Sequence, residues 1–511
     1  MRFIHNSIHK TSFNKAPRAR ALTCGKFEKS YNLLMKKIFL FIFFILISIT
    51  FLNVYKELPE GISVEGEIYK APNNSVIFLS DKTYLDEDDK QVYQQEIFEK
   101  VFSMIDNAEN FILIDMFLFN DFLGKEKESY VDLSKKLTDR IINKKNSNNE
   151  IEVVFITDPL NQLYGSLKSK NIKRLEDNGI IVIETNLKKL RDSNPFYSGL
   201  WRSSLQFLPV GFIKLPNPFS SDSKKVGLDS YLTLLNFKAN HRKIIISDYI
   251  DDSNILKMTS LVTSANPHDG SSGHGNVAIK INDYVWRDLL DSELSVIKFS
   301  GKEIENIKRD SYTDYSGDVS VQVLTEGKIK NSVVYSINNT KKGDSIKLIM
   351  FYLSERNVIK SIKKAYKRGV DVEIILDPNK DAFGRIKGGV PNVSVAREFK
   401  NLSEDFKIRW CNTHGEQCHS KMLIIEKQNT NEMFLGSANF TKRNIGDYNL
   451  ETNIKVSGES VIAISDAKEY FNQLWNDDQK KYTVDYEVYK DESLYKYIKY
   501  RIMEKTGISS F

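Results

Sequence analysis

Cysteine is scarce: three in 511 residues, at positions 24, 411 and 418. That count excludes a disulfide-built scaffold. Cys411, His414, Cys418 and His419 suggest zinc at first, but they crowd into one stretch with no second cluster. Adjacent Cys418 and His419 would also point to opposite sides of a strand, so no metal site is assigned. If the intervening turn brings them close, Cys411 and Cys418 could instead pair as a disulfide outside the cytoplasm. The chain lacks a G-x-x-x-x-G-K-[ST] loop, a G-x-S-x-G elbow and an H-E-x-x-H helix, which removes three common catalytic frameworks. An excess of one charge is missing too: Lys and Arg total 73 against 67 Asp and Glu, a net charge of +6. The resulting pI near 8.7 suits phosphate-bearing partners without requiring them. No stripe of Lys and Arg interleaved with aromatics marks a nucleic-acid groove.

Long apolar runs are lacking, with one exception at residues 38–52 (IFLFIFFILISITFL). It is short for a membrane span and near the length of a signal-peptide core. No A-x-A cleavage site and no lipid-attachment cysteine follows it. An uncleaved signal anchor over 38–54 is therefore expected, with a cleaved signal as the alternative. A buried core helix is disfavoured, because the run is apolar all round and preceded by cations. Residues 1–37 form a basic tail with Glu28 as its one acid; disorder is expected there. Met35-Lys36-Lys37 also reads as an export-signal start, so Met35 is a candidate initiator. The positive-inside rule puts the N-terminus in the cytoplasm and the rest outside.

What the chain does have is a phrase written twice. His241-Arg242-Lys243 is followed by Asp248 and then by Ser264-Ala265-Asn266. His419-Ser420-Lys421 is followed by Glu426 and then by Ser437-Ala438-Asn439. The Ile-rich runs after each Lys read as buried strands, on which residues two apart share a face. Each His therefore stands beside a Lys. A fixed ammonium makes an anion site, and an imidazole supplies a nucleophile or a proton. Lys243, Lys421, Asn266 and Asn439 can hold phosphate oxygens while a histidine attacks phosphorus. One His-x-Lys alone is usually a solvated strand edge; two, each with an acid at the same offset and a later Ser-Ala-Asn, are not.

This pattern resembles the phospholipase D superfamily, marked by H-x-K-x4-D twice per active site, over roughly residues 81–475. The first motif matches in full; the second has Glu426 in place of Asp, at a position that is mostly structural in the family. Residues 436–451 (GSANFTKRNIGDYNLE) look like the family's extended second motif, ending in Asn-x-Glu. The first half has Asn276-Val277-Ala278 there and lacks that Glu. The resemblance implies a phosphohistidine route, with no metal and no cofactor. The candidate catalytic residues are His241, Lys243, Asp248, His419, Lys421 and Glu426. By family analogy His241 is the nucleophile, His419 the general acid, and Glu451 the carboxylate that orients an imidazole.

The rest of the chain reads as α/β: two similar phospholipase-D-like half-domains with mixed, largely parallel sheets and a shared active site, after the N-terminal anchor. The expected divisions are 55–80 linker, 81–310 first half, 311–328 linker, 329–480 second half and 481–511 charged tail. A helix is expected over 92–108, strands over 111–119, 151–156 and 345–353, and further strands at 392–396 and 406–410. Asp158-Pro159 and Asp377-Pro378 occupy matching places, so the repeat is a tandem duplication. The first half carries an extra aromatic, Pro-rich segment, 194–231. It reads either as a lid on the core or as a substrate-gating or membrane-dipping element. The anchor, this insert and the modest charge favour phospholipid as substrate and the membrane as partner. An anchored nuclease of the same superfamily, and an inactive scaffold, are the alternatives.

Overall fold

The computed structural model describes residues 19–123, 131–220, 223–304, 317–381, 387–479 and 481–508, with side chains from residue 30 onward. The described residues begin with one helix, Ala19–Val54. Its segment Ser30–Val54 is long and apolar enough to cross a membrane, and almost none of it is buried in the protein. The expected disorder up to residue 37 is thus corrected from Ala19 onward. The helix-forming Leu, Lys and Met residues continue the helix of the apolar run toward the N-terminus. Residues 1–18 lie outside the described residues.

Two large sheets follow. The first runs, edge to edge, Gln91–Gln94, Val76–Leu85, Asn276–Ile281, Leu256–Thr263, Lys243–Ile250, Phe111–Met116, Glu152–Thr157 and Ile181–Glu184. The second runs Tyr69–Ala71, Val319–Thr325, Thr452–Gly458, Asn431–Gly436, Lys421–Glu426, Ser345–Met350, Asp371–Leu376, Lys407–Cys411 and Thr483–Asp485. Both repeat one plan: two parallel pairings joined by helical crossovers, then an antiparallel strand that opens with a motif Lys. The sheets are mixed rather than largely parallel: parallel strand pairing is confined to Phe111–Met116, Glu152–Thr157 and Ile181–Glu184 at one end of the first sheet and to Ser345–Met350, Asp371–Leu376 and Lys407–Cys411 in the second. The strands after each motif are linked without crossover helices and pair antiparallel. Their continuous apolar runs look parallel in sequence because both sheet faces are covered.

One core lies between the sheets and takes residues of both, such as Ile244 and Ile246 with Met422 and Ile424. The helices Trp286–Phe299 and Ile462–Trp475 fill it. The outer face of each sheet has its own core, with Ile97–Asn107 and Leu133–Ser147 on one side and Glu326–Asn338 and Arg356–Lys367 on the other. Several segments differ from expectation. Residues 92–108 divide into a strand, Gln91–Gln94, and a helix, Ile97–Asn107, because Val92 and Tyr93 pair across to Tyr84 and Thr83. Residues 392–396 are helical within Asn392–Lys400, where Val395 and Phe399 bury one face at a spacing of four. The stretches read as linkers carry strands: Tyr69–Ala71 crosses to pair with Val319–Val321 of the second sheet. The charged C-terminal segment supplies an edge strand and a helix, Leu494–Thr506, anchored by buried Tyr500, whose hydroxyl accepts from Arg356 at 2.6 Å.

Candidate functional site

Each His-x-Lys segment is laced to the opposite half by backbone bonds. His241 N donates to Leu450 O at 2.9 Å, and Leu450 N to Ala239 O at 3.1 Å. Likewise Gly275 N donates to Gln417 O at 3.0 Å, and His419 N to Gly275 O at 2.8 Å. The residue after each crossing point is what the imidazole meets. His241 Nδ1 lies 2.9 Å from Oε1 and 3.0 Å from Oε2 of Glu451. His419 Nδ1 lies 3.2 Å from Asn276 Oδ1. Each ring is therefore oriented by a side chain of the other half, and Nε2 is left for chemistry.

The supporting residues repeat in the same way. Ser264 Oγ donates to Asn276 Oδ1 at 3.0 Å, and Ser437 Oγ donates to Glu451 Oε2. The Ser of each Ser-Ala-Asn thus fixes the group that fixes the histidine. Asp158 accepts from Asn240 N at 2.7 Å, and Asp377 from Cys418 N at 2.8 Å, so each Asp-Pro turn holds the residue before a motif His. Phe117 packs on His241 at 4.6 Å and Phe351 on His419 at 4.8 Å. Lys243 and Lys421 lie over those same rings, each at 5.1 Å.

A cavity of about 530 Å³ opens over the two histidines. Its polar lining includes His241, His419, Asn266, Asn439, Lys387 and Arg443. Apolar side chains line it as well, among them Phe122, Leu160, Phe219, Leu234 and Phe237. Asn439 Oδ1 is buried with no partner among the described residues. Asn266 Oδ1 accepts from Leu118 N at 3.3 Å. Lys243 and Lys421 are fully buried behind the cavity, and their ammonium groups donate to the carbonyls of His241 and His419 at 2.7 and 2.6 Å.

The electrostatics are those of a cationic site short of an anion. Burial lowers Lys243 to about 7, against the opposing pull of Glu451, Asp115 and Asp158. Burial, then the charge of Lys243, holds Lys421 well below its ordinary value. Burial also brings His241 down to about 4, although Glu451 favours its charged form. His419, beside Lys421 and His274 and with no carboxylate, is held well below the usual range chiefly by burial. An anion placed between the two motifs would raise all four groups and be bound in return.

Of the six residues grouped as catalytic, His241 and His419 line the cavity, Lys243 and Lys421 lie buried beside them, and Asp248 and Glu426 stand apart. Asp248 caps the start of strand Phe111–Met116, accepting from the backbone N–H of Glu109, Asn110 and Phe111 at 2.9 to 3.1 Å. Glu426 does the matching job for strand Ser345–Met350: Ser345 Oγ donates to it at 2.9 Å, and Lys468 pairs with it at 2.5 Å. Four residues lie between each Lys and its acid; the five steps of extended chain span about 17 Å, so neither acid touches the histidines. Residues not singled out in the sequence also line the cavity: His268, His274, Lys387 and Arg443, while Asn276 holds His419. The one local signal for them is that His274 stands two residues before Asn276, in the loop after Ser264-Ala265-Asn266. Cys411 and Cys418 are joined in a disulfide with Cα atoms 6.2 Å apart, which fixes the turn before His419.

Residues 333–475 match the family model described as cardiolipin synthase, PLD-like domain. No curated protein matches the sequence. Among solved structures, phosphatidylserine synthase of Haemophilus influenzae Rd KW20 is similar at 12% identity with a TM-score of 0.55, over 90% of this chain and 96% of that one. Nuc of Salmonella typhimurium, a phospholipase D family member, aligns at 25% identity and a TM-score of 0.25, over 31% of this chain and 95% of its own. NucT of Helicobacter pylori aligns at 18% identity and a TM-score of 0.24, over 31% of this chain and 96% of its own.

Proposed function

From its place in the phospholipase D superfamily, we propose that this chain cleaves or transfers the phosphodiester of phospholipids through a phosphohistidine. His241 Nε2 attacks phosphorus as the bond to the leaving alcohol breaks, and His419 gives that alcohol its proton. Water or a second alcohol then attacks the phosphohistidine and gives a proton to His419. Phosphatidic acid or a phosphatidyl-alcohol leaves, and His241 is restored. Lys243, Lys421, Asn266 and Asn439 hold the phosphoryl oxygens and stabilise the charge that grows in the transition state. Glu451 keeps His241 in the tautomer that attacks through Nε2 and supports its charge once phosphorylated; His419 has only an amide and gives up its proton more readily.

The observation that carries the lipid reading is the mixed lining of the cavity: both histidines open into it together with apolar side chains that include Phe219 of the insert. A phosphodiester with acyl chains matches that combination. The N-terminal helix keeps the site near phospholipid, in a single-pass arrangement with the catalytic halves outside the cytoplasm; the disulfide agrees with that compartment. The test gives the full-length protein phosphatidylglycerol vesicles, with and without ethanol, and DNA in parallel. Phosphatidic acid, and phosphatidylethanol when ethanol is present, should appear only with both histidines intact. DNA nicking beside untouched vesicles would transfer the site to a membrane-anchored nuclease, with Lys387 and Arg443 on the strand.

A further inference from the structure

The insert of the first half is built against the N-terminal helix. Its helix, Pro195–Ser203, packs along that helix. Gly199 makes the close approach: a Cβ there would sit 2.4 Å from the Leu46 carbonyl oxygen and 2.7 Å from Thr50 Oγ1. Asp192 N donates to Asn53 O at 3.1 Å, and Arg191 Nε to Lys56 O at 2.7 Å, so the joint is bonded at its base as well. Leu46 and Thr50 belong to the apolar run that ends at Leu52. At the α-helical rise, Leu46 lies about 9 Å before that end. If the N-terminal helix spans a bilayer, a helix packed at this level is below the membrane surface.

The chemistry of the insert fits that depth. Between 196 and 213 six large apolar side chains are exposed: Phe196, Leu200, Phe207, Leu208, Phe212 and Ile213. Phe196, Phe207 and Phe212 are each more than 70% accessible, which is costly in water. The polar side chains among them are bonded within the protein, although Ser203 and Ser204 are themselves exposed. Tyr197 Oη donates to Leu232 O at 2.9 Å, and Ser198 Oγ to Asp192 at 2.7 Å. Ser204 Oγ donates to Leu200 O and Gln206 Nε2 to Arg202 O, each at 2.8 Å. The one charge, Arg202, is paired with buried Asp192 at 2.7 Å. The backbone closes on itself too, with bonds from Ser204 N to Leu200 O, Phe207 N to Ser204 O and Ile213 N to Val210 O. Internal satisfaction of polar groups is what a hydrocarbon environment demands.

We infer that residues 195–213 are a second membrane-embedded element, a wedge seated in the same leaflet as the end of the N-terminal helix. It rests on the reading of that helix as an anchor. The wedge leads into Pro218 and Phe219 of the cavity wall, so the mouth of the site is held at the bilayer surface and lipid enters sideways from the leaflet. Full-length protein with Phe207→Trp or Phe212→Trp, both at exposed positions, is reconstituted into phosphatidylcholine–phosphatidylglycerol vesicles. The added emission should lose most of its intensity when the phosphatidylcholine is brominated in its acyl chains, and should be untouched by iodide. Quenching by iodide with none by bromolipid would place the wedge in water and overturn the inference. Protection from both would mean a protein surface, such as a second copy, covers it, and would overturn it equally. No turnover is measured, so failure here is separate from failure of the phospholipid reading.

Discussion

A buried lysine is costly to keep charged, and this site holds two within electrostatic reach of each other, whose burial outweighs the pull of the nearby carboxylates. On the proposed reading, a phosphoryl group entering the site offsets that cost. Since burial lowers Lys243 to about 7, its ammonium form is lost as pH rises through that value in the empty site. Tungstate, a phosphate mimic, should therefore bind more weakly at pH 8 than at pH 6 by calorimetry. In Lys243→Met binding should be weak throughout and the slope reduced. The histidines make a second prediction. Glu451 engages His241 from the opposite half, and Glu451→Gln keeps the hydrogen-bonding shape but removes the charge. Turnover should fall on the order of 10³-fold in a protein of unchanged melting temperature. His241→Ala and His419→Ala should each cost nearly as much as the double variant. The motif residues were legible because His, Lys and Asn of each copy lie close in sequence and recur. Asn276 and His274 were not, because their role depends on which strand of one half crosses the other.

At the scale of elements, Gly199 and Arg242 mark the two joints that local sequence does not reveal. Gly199→Leu would force its side chain into the Leu46 carbonyl and part the insert from the N-terminal helix. Limited proteolysis in detergent should then cut within 194–231 faster than in the wild type, with the two halves still protected. Arg242, between His241 and Lys243, points away from the cavity and joins Glu293 and Glu326 at 2.8 Å each, all fully buried. Glu326 Oε1 in turn accepts from Glu451 N at 3.0 Å, so the ion network holds the strand that orients His241. Arg242→Met leaves two buried carboxylates uncompensated, and the expected loss is about 3–5 kcal/mol by denaturant unfolding. In sequence the middle residue of His-x-Lys looks free to vary; only the fold places it under two glutamates from distant elements. Strand type was legible from β-branched runs, whereas parallel or antiparallel pairing was not, since burial on both faces erases the alternation that distinguishes them.

The whole molecule joins the membrane-grade helix Ser30–Val54 to a duplicated body whose halves complete each other. Strand Tyr69–Ala71 lies in the second sheet although it precedes the first, and the helix Ile462–Trp475 packs on strand Val76–Leu85 of the first. Neither half should fold or act alone. A reporter fused to the C-terminus should be active only in its extracytoplasmic form, and a cytoplasmic signal would reverse the topology. The duplication was legible from paired motifs and paired Asp-Pro turns; the exchange of strands and helices between halves was not, because nothing local records it. The most direct measurement of the proposed chemistry is the covalent step. Full-length protein is mixed with phosphatidylglycerol vesicles, quenched under conditions that preserve phosphoramidates, and digested for mass spectrometry. A phosphatidyl adduct is expected on the peptide containing His241, and none in His241→Ala. An adduct on His419 instead, or steady turnover with no histidine adduct, would contradict it.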